Sequence, residues 1–275
     1  MIVAGLTAVG MAAGATACSV PSSEMARPGT CDPFQLTDVL PPSDSTGVPP
    51  NVVPIVTFSD FPNPDTITVS TIALYTGFFY HTGRYWVELV ERRALFQPSG
   101  DLAPGLGYTL VLRPGIRSLR GCRLEDPPTG ADGEPSDIYA FRFRIAEPGT
   151  PRAPTPVSST ANYGQVIDLF AAHCAGSTCH LDRDQPPNQP EACLASAAGK
   201  LSLCGRDAYD SLVGVPSTQV TRLARVAPRD SSRSYLLRKL IGAPPVVGHA
   251  GVPQDDLSRD DLHIIESWID TGATR

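Results

Sequence analysis

The chain has 275 residues, enough for two modest domains with cores of their own. A net charge of −6 argues against a nucleic-acid partner, which would need a basic face. Its 28 prolines and 24 glycines argue for turns and linkers and against long continuous helix.

Residues Met1 to Ala17 are apolar and rich in small side chains. The stretch is too short for a comfortable membrane span, and Cys18 and a polar, proline-rich segment follow it, as they follow a signal peptide. Ala15-Thr16-Ala17-Cys18 resembles a bacterial lipobox, whose cysteine is acylated and becomes the mature N-terminus; the departure is Ala15, where leucine is usual. The segment has no lysine or arginine before Arg27, so the true start is expected upstream. The expectation is an outer-membrane lipoprotein facing the periplasm or the surface, held to the bilayer through Cys18. A plain secretory signal with Cys18 incidental is the alternative. Residues 18–36 then read as a flexible tether.

From 37 to 147 the pattern is β. Pro41 to Pro49 is a turn cluster, and Val53 to Ser59 a strand. Thr66 to Tyr75 is rich in β-branched residues. Tyr85 to Leu89, Arg93 to Phe96 and Tyr108 to Leu112 are further short strands, and Tyr139 to Ile145 alternates cleanly. Short strands at regular spacing with turns between them predict an all-β sandwich. His81 falls in a probable loop and reads as solvated. Residues 148–161 carry prolines at 148, 151, 154 and 156 and form a semi-rigid linker.

Residues 162–275 read as helical. Asn162 can cap a first helix with Val166, Ile167, Phe170 and Cys174 on one face. Asp207 to Val213 is a short helix, and another begins near Ser232 and carries Tyr235, Leu236, Leu237, Leu240 and Ile241 to Gly242. Ser258 caps the last, with Asp261 three residues on. Leu262, Ile265, Trp268 and Ile269 make its apolar stripe; His263 falls with Glu266, Ser267 and Asp270 on the other face and is expected to be solvated.

The first helix runs into Cys174-Ala175-Gly176-Ser177-Thr178-Cys179-His180. Two cysteines with a histidine directly after the second are the attachment signature of c-type haem: the thiols add to the porphyrin vinyl groups and the imidazole lies under the iron. Here the spacing is C-x4-C-H, two residues longer than the common form. Cys174 and Cys179 as a disulfide, or a zinc site lacking its fourth ligand, are the alternatives. Setting aside Cys18, Cys174 and Cys179 leaves Cys31, Cys122, Cys193 and Cys204, two in each half of the chain. Four cysteines allow three connectivities, and the economical one pairs Cys31 with Cys122 and Cys193 with Cys204.

Pro41 to Asp60, Leu102 to Leu112 and Tyr139 to Ile145 resemble the bacterial Ig-like domain of surface proteins, which implies a spacer or adhesive module without catalytic residues. Residues 163–273 resemble the cytochrome c-type domain of exported bacterial lipoproteins, on AYDSLVGVPS (208–217), RVAPRDSSRSYLLRKLIG (225–242) and GHAGVPQDDLSRDDLHIIESWIDTGA (248–273). That resemblance implies an all-α cytochrome c-like domain with one covalent haem c. Cys174 and Cys179 would form the thioethers, and His180 would be the proximal iron ligand. In the family a methionine supplies the second axial ligand; here Val252 stands there. The three methionines, Met1, Met11 and Met25, lie outside the domain. His249 could replace methionine, the iron could be five-coordinate, or the domain could have lost haem and kept the fold.

Two functions follow. One is a membrane-anchored electron carrier serving a periplasmic or membrane redox partner. The other is a non-redox surface protein used for binding or structure. An enzyme is the weaker reading: no Ser/His/Asp or paired-carboxylate motif is present, although an open haem iron could support peroxidase-like chemistry.

Overall fold

A computed structural model describes residues 31–127, 136–152, 161–174, 180, 193, 200–205, 207–245 and 257–275. The lipobox with Cys18, the second motif cysteine Cys179, and His249 with Val252 lie outside the described residues.

The first half is a sandwich of two sheets. One has the order β1 (Leu36–Leu40), β3 (Ile55–Phe58), β7 (Arg93–Pro98), β6 (Gly83–Glu88) and is antiparallel throughout. The other has the order β2 (Ser45–Val48), β9 (Tyr139–Ile145), β8 (Gly107–Leu112), β4 (Ile72–Thr76), β5 (Phe79–Tyr80), with β2 parallel to β9 and the rest antiparallel. Inward residues alternate along the strands, as the pleat requires. In β8, Tyr108, Leu110 and Leu112 are buried, and in β9, Phe143 and Ile145. They meet Val56, Phe58, Val87 and Phe96 of the facing sheet in one core. The Tyr85 hydroxyl crosses between sheets to donate to the Ile72 carbonyl at 2.8 Å, and burial pushes its pKa to about 12.

The predicted tether ends earlier than expected. Cys31 is bridged to Cys122, with the two Cα atoms 5.4 Å apart. Phe34 is 1% exposed, pairs with Leu124 as an isolated bridge and stacks on Phe58. Residues 31–36 therefore belong to the sandwich. The turn cluster Pro41 to Pro49 contains a strand, β2, and the β-branched stretch from Thr66 begins in a 3-10 turn (Pro64–Thr66), becoming a strand only at Ile72. His81 is not free in solvent: its Nε2 lies 3.0 Å from the Thr76 hydroxyl and its ring 5.2 Å from that of Tyr108. At the start of the linker, Arg152 pairs with Asp101 of the sandwich.

The second half holds α1 (Tyr163–His173), α2 (Ala208–Leu212), α3 (Tyr235–Ile241) and α4 (Arg259–Asp270). Asn162 with Gln165, and Ser258 with Asp261, form reciprocal capping boxes that satisfy otherwise orphaned N–H groups. Gly242 ends α3 at φ 71°, where a Cβ would be strained. Val166, Ile167 and Phe170 of α1 pack with Leu212, Leu237, Ile265, Trp268 and Ile269.

His263 is not free in solvent, and neighbours on its face of α4 are buried. Glu266 and Ser267 are buried, and the β6–β7 turn hydrogen-bonds Glu266. The Val90 N–H donates to Glu266 Oε1 at 3.3 Å. His263 Nε2 lies 2.7 Å from Glu91 Oε1 and its Nδ1 3.5 Å from Glu266 Oε2, while Arg259 pairs with Glu91. Beside this contact, a cavity of about 160 Å³ separates Trp86 and Arg84 from Arg229, Ser231 and Asp270.

Candidate functional site

Cys174 caps the C-terminus of α1, its N–H donating to the Phe170 carbonyl at 2.8 Å. The spacing Val166, Ile167, Phe170, Cys174 turns its side chain to the apolar side of the helix, and it is 8% exposed. The sulfur is free, and burial pushes its pKa to about 12. The thiol is therefore a poor nucleophile on its own. The Cys174–Cys179 disulfide weighed from sequence is absent.

His180 folds back onto the same helix end. Its N–H donates to the Cys174 carbonyl at 3.2 Å, and its own carbonyl accepts from the Leu203 N–H at 3.1 Å. Its Nδ1 lies 2.9 Å from the Leu201 carbonyl. A carbonyl oxygen only accepts, so Nδ1 carries the proton and Nε2 holds a bare lone pair. Burial lowers the imidazole pKa, with Lys239 and Arg225 adding to that and the Leu201 contact opposing it. The ring is neutral at pH 7, in the tautomer that leaves Nε2 unprotonated.

Cys193 and Cys204 form the second disulfide, Cα atoms 5.0 Å apart, just before α2. Cys193, Cys204 and Asp207 also bring ligand atoms within 4.8 Å of one another, but both sulfurs are spent in the bridge and offer no thiolate. Of the residues singled out from sequence, the structure thus brings together Cys174 and His180, and separately pairs the four bridging cysteines.

Sequence reasoning missed the second polar cluster, Glu91, Arg259, His263 and Glu266. Burial pushes the Glu266 pKa to about 8, with Asp270 adding to it and the Val90 N–H opposing. Burial alone would also raise Glu91, but the hydrogen bond from His263 and the charge of Arg259 outweigh it and leave that carboxyl below its usual range. No local signal marks the pairing, because Glu91 and His263 are 172 residues apart.

Residues 31–143 match the bacterial Ig-like domain family, and this part of the chain is such a domain. Domains of this family occur in extracellular or surface proteins of bacteria. Among the described residues no helix is long and apolar enough to cross a membrane. No curated protein matches the chain.

Solved structures with a likeness to it include the S-layer protein rSbsC(31-844), at 14% identity and a TM-score of 0.30, covering 42% of this chain and 14% of that one. CopC from Methylosinus trichosporium OB3b is 13% identical, with a TM-score of 0.30, over 43% of this chain and 98% of its own. PcoC, a methionine-rich copper resistance protein from Escherichia coli, is 15% identical, with a TM-score of 0.28, over 42% and 99%. The chain thus spans a small part of the S-layer protein and covers nearly all of the two copper proteins.

Proposed function

We propose that the protein is an electron carrier of the bacterial cell envelope, a c-type cytochrome-like domain carried on an Ig-like spacer and anchored through acylated Cys18. One observation carries the reading: a free, buried Cys174 lies at the helix end where His180 docks with its Nδ1 satisfied and its Nε2 lone pair available. In an exported chain, oxidising conditions would tend to pair cysteines, and here the four others described are paired.

The residues present fit a covalent haem. A thioether on Cys174 is uncharged, so the burial that suppresses its thiolate would cost the bound form nothing. The Leu201 carbonyl fixes the His180 ring and raises the basicity of Nε2, which suits an iron ligand. Cys179 would supply the second thioether and His249 is the candidate opposite His180. A bound haem c would supply one-electron transfer, its potential set by axial ligands and burial. Val166, Phe170, Leu203 and Leu212 would keep water from the attachment edge. The redox partner would be a periplasmic or membrane protein.

Val252, at the position where the family has methionine, favours a second reading, a non-redox surface lipoprotein whose cytochrome-like domain has lost haem. A denaturing gel of protein matured with haem-attachment machinery separates the two. Thioether linkage survives denaturation, so a haem-stained band is expected in wild type and none in Cys174→Ala/Cys179→Ala. An unstained wild-type band overturns the electron-carrier reading.

A further inference from the structure

The β4–β5 hairpin ends in side chains the sandwich does not use. Tyr75 pairs with Tyr80 and Thr76 with Phe79, which leaves the two-residue loop Gly77–Phe78. Gly77 sits at φ 55°, a conformation that glycine adopts without strain. Phe78 is 101% exposed, Phe79 80% and Tyr80 59%, and none joins either core. Three consecutive exposed aromatics are more than scattered surface apolarity. Register places them at the Gly107 and Arg144 end of the sheet. The opposite end leads from Leu112 to Ser118 and Cys122, near the β6–β7 turn on which α4 rests.

Charge adds a second observation. Arg142, Thr109, Tyr75 and Tyr80 stand in register across four strands on the outer face. The Arg113 guanidinium lies 5.4 Å from the Tyr75 ring centre and donates to its hydroxyl at 2.5 Å. Arg144 projects from the same face of β9 as Arg142, and both are exposed. None of these three arginines forms an ion pair with a described residue, in a chain of net charge −6. Asp44 and Glu147 flank the face: the Asp44 N–H donates to the Arg142 carbonyl, and the Glu147 carboxylate approaches Gly105.

We propose that this hairpin and arginine face dock on an anionic lipid bilayer. Phe78 and Phe79 enter the boundary between headgroups and acyl chains, and Arg142 and Arg144 lie against lipid phosphates. Charge complementarity and the identity of the aromatics select this occupant. Phenylalanine is a ring of pure hydrocarbon with no polar edge to satisfy, and it gains by leaving water for acyl chains. Basic side chains beside such a wedge are drawn to anionic headgroups within a Debye length. The edge strand β5 has two residues, too few for a second copy to add by strand pairing. The inference does not rest on haem.

The test places a reporter at the tip of the full mature protein. Phe78→Trp is reconstituted in vesicles of equal parts phosphatidylcholine and phosphatidylglycerol, with and without brominated acyl chains. Wild type, with Trp86 and Trp268, supplies the background. The added emission is expected to fall by about half on bromination, as for a residue at the headgroup–acyl boundary. The quenching should weaken in phosphatidylcholine alone and in Arg142→Glu/Arg144→Glu. An added emission indifferent to bromination overturns the proposal, as does quenching that the arginine variant leaves unchanged. A blue shift that grows with protein concentration without lipid assigns the tip to a second copy. One produced by a soluble anionic polysaccharide assigns it to a glycan. Either also overturns the proposal.

Discussion

The two halves of the molecule are held together by different means. The sandwich is tied by strand ladders around one aromatic-rich core, and that core is formed mainly by alternate residues of its own strands. The helical half has two helices of five and seven residues, too short to hold on propensity alone. Its order comes from devices added to packing. Two capping boxes and a disulfide contribute. So does a buried Arg238, whose guanidinium donates to the Ser232 carbonyl at 2.6 Å and the Pro244 carbonyl at 3.1 Å; burial lowers its pKa to about 10. The sandwich itself adds cover at Glu266 of α4. The sandwich rests mainly on its own ladders, and the helical half adds caps, a bridge and contacts with the sandwich.

That contrast is broken most directly at the cores. Trp268 is 1% exposed, lies tilted against the Tyr163 ring at 5.7 Å and donates to the Thr274 carbonyl at 2.9 Å. Phe96 is equally buried in the sandwich. Each change to alanine is expected to cost about 3–5 kcal/mol. In calorimetry, Phe96→Ala should lower both transitions, because the helical half leans on the sandwich, whereas Trp268→Ala should lower only that of the helical half. A shift of both by Trp268→Ala would make the two halves one cooperative unit.

The disulfides rank next. Cys31–Cys122 spans 91 residues and Cys193–Cys204 spans 11. Chain entropy predicts about 4–5 kcal/mol for the long loop and about 3 kcal/mol for the short one. The comparison sharpens if Cys193→Ser/Cys204→Ser, despite its smaller entropic effect, melts the helical half outright in chemical denaturation while Cys31→Ser/Cys122→Ser leaves the sandwich folded.

What the sequence makes legible follows the same division. Strands β3, β8 and β9 announce themselves because their alternation is set by one buried face, and β6 and β7 as short apolar and aromatic runs between turns. Strand β2 does not: Ser45, Thr46 and Gly47 are turn residues, made extended by parallel pairing with β9 about 100 residues on. Both helix caps and both disulfides were legible, since capping is local and bridge pairing followed the two halves. The buried polar face of α4 was not, because its partner, the turn after β6, is remote in sequence. Of the candidate site, residue types and spacing marked Cys174 and His180, but the tautomer of His180 depends on Leu201, which no motif names.

Titration probes the contact between the halves. The Glu266 pKa rises from an ordinary 4.5 to about 8, and that of Asp270 from 3.8 to about 6. A carboxyl raised on folding stabilises fully below its unfolded value and loses that contribution as pH climbs through its folded one. On the Glu266 shift alone, the docked state should therefore weaken by ~5 kcal/mol as pH rises from about 4.5 to about 8. Glu91 acts oppositely: its lowered pKa contributes above the ordinary carboxylate range and is lost in acid. Glu266→Gln keeps an acceptor for the Val90 N–H and should flatten the alkaline side of a plot of melting temperature against pH. An unchanged slope would place the titration elsewhere.

The smallest expected effect lies at the rim of the same interface. Arg233 reaches from the 3-10 turn before α3 to Asp65 of the sandwich at 2.5 Å and to Asp230 at 2.8 Å. Both contacts raise its pKa, the Asp65 hydrogen bond most. Yet Arg233 is 50% exposed and Asp65 71%, so water and salt screen the pair and ordering two side chains offsets the attraction. Arg233→Ala should cost at most about 1 kcal/mol, and less at high salt. Asp230 is the more enclosed partner at 30% exposure and also accepts from Ser232, so it keeps its turn without Arg233. A double-mutant cycle of Arg233→Ala with Asp65→Ala measures the pair directly. Coupling well above 1 kcal/mol would mean that the rim, and not the buried Glu266 contact, holds the helical half to the sandwich, and the pH dependence would then be weak.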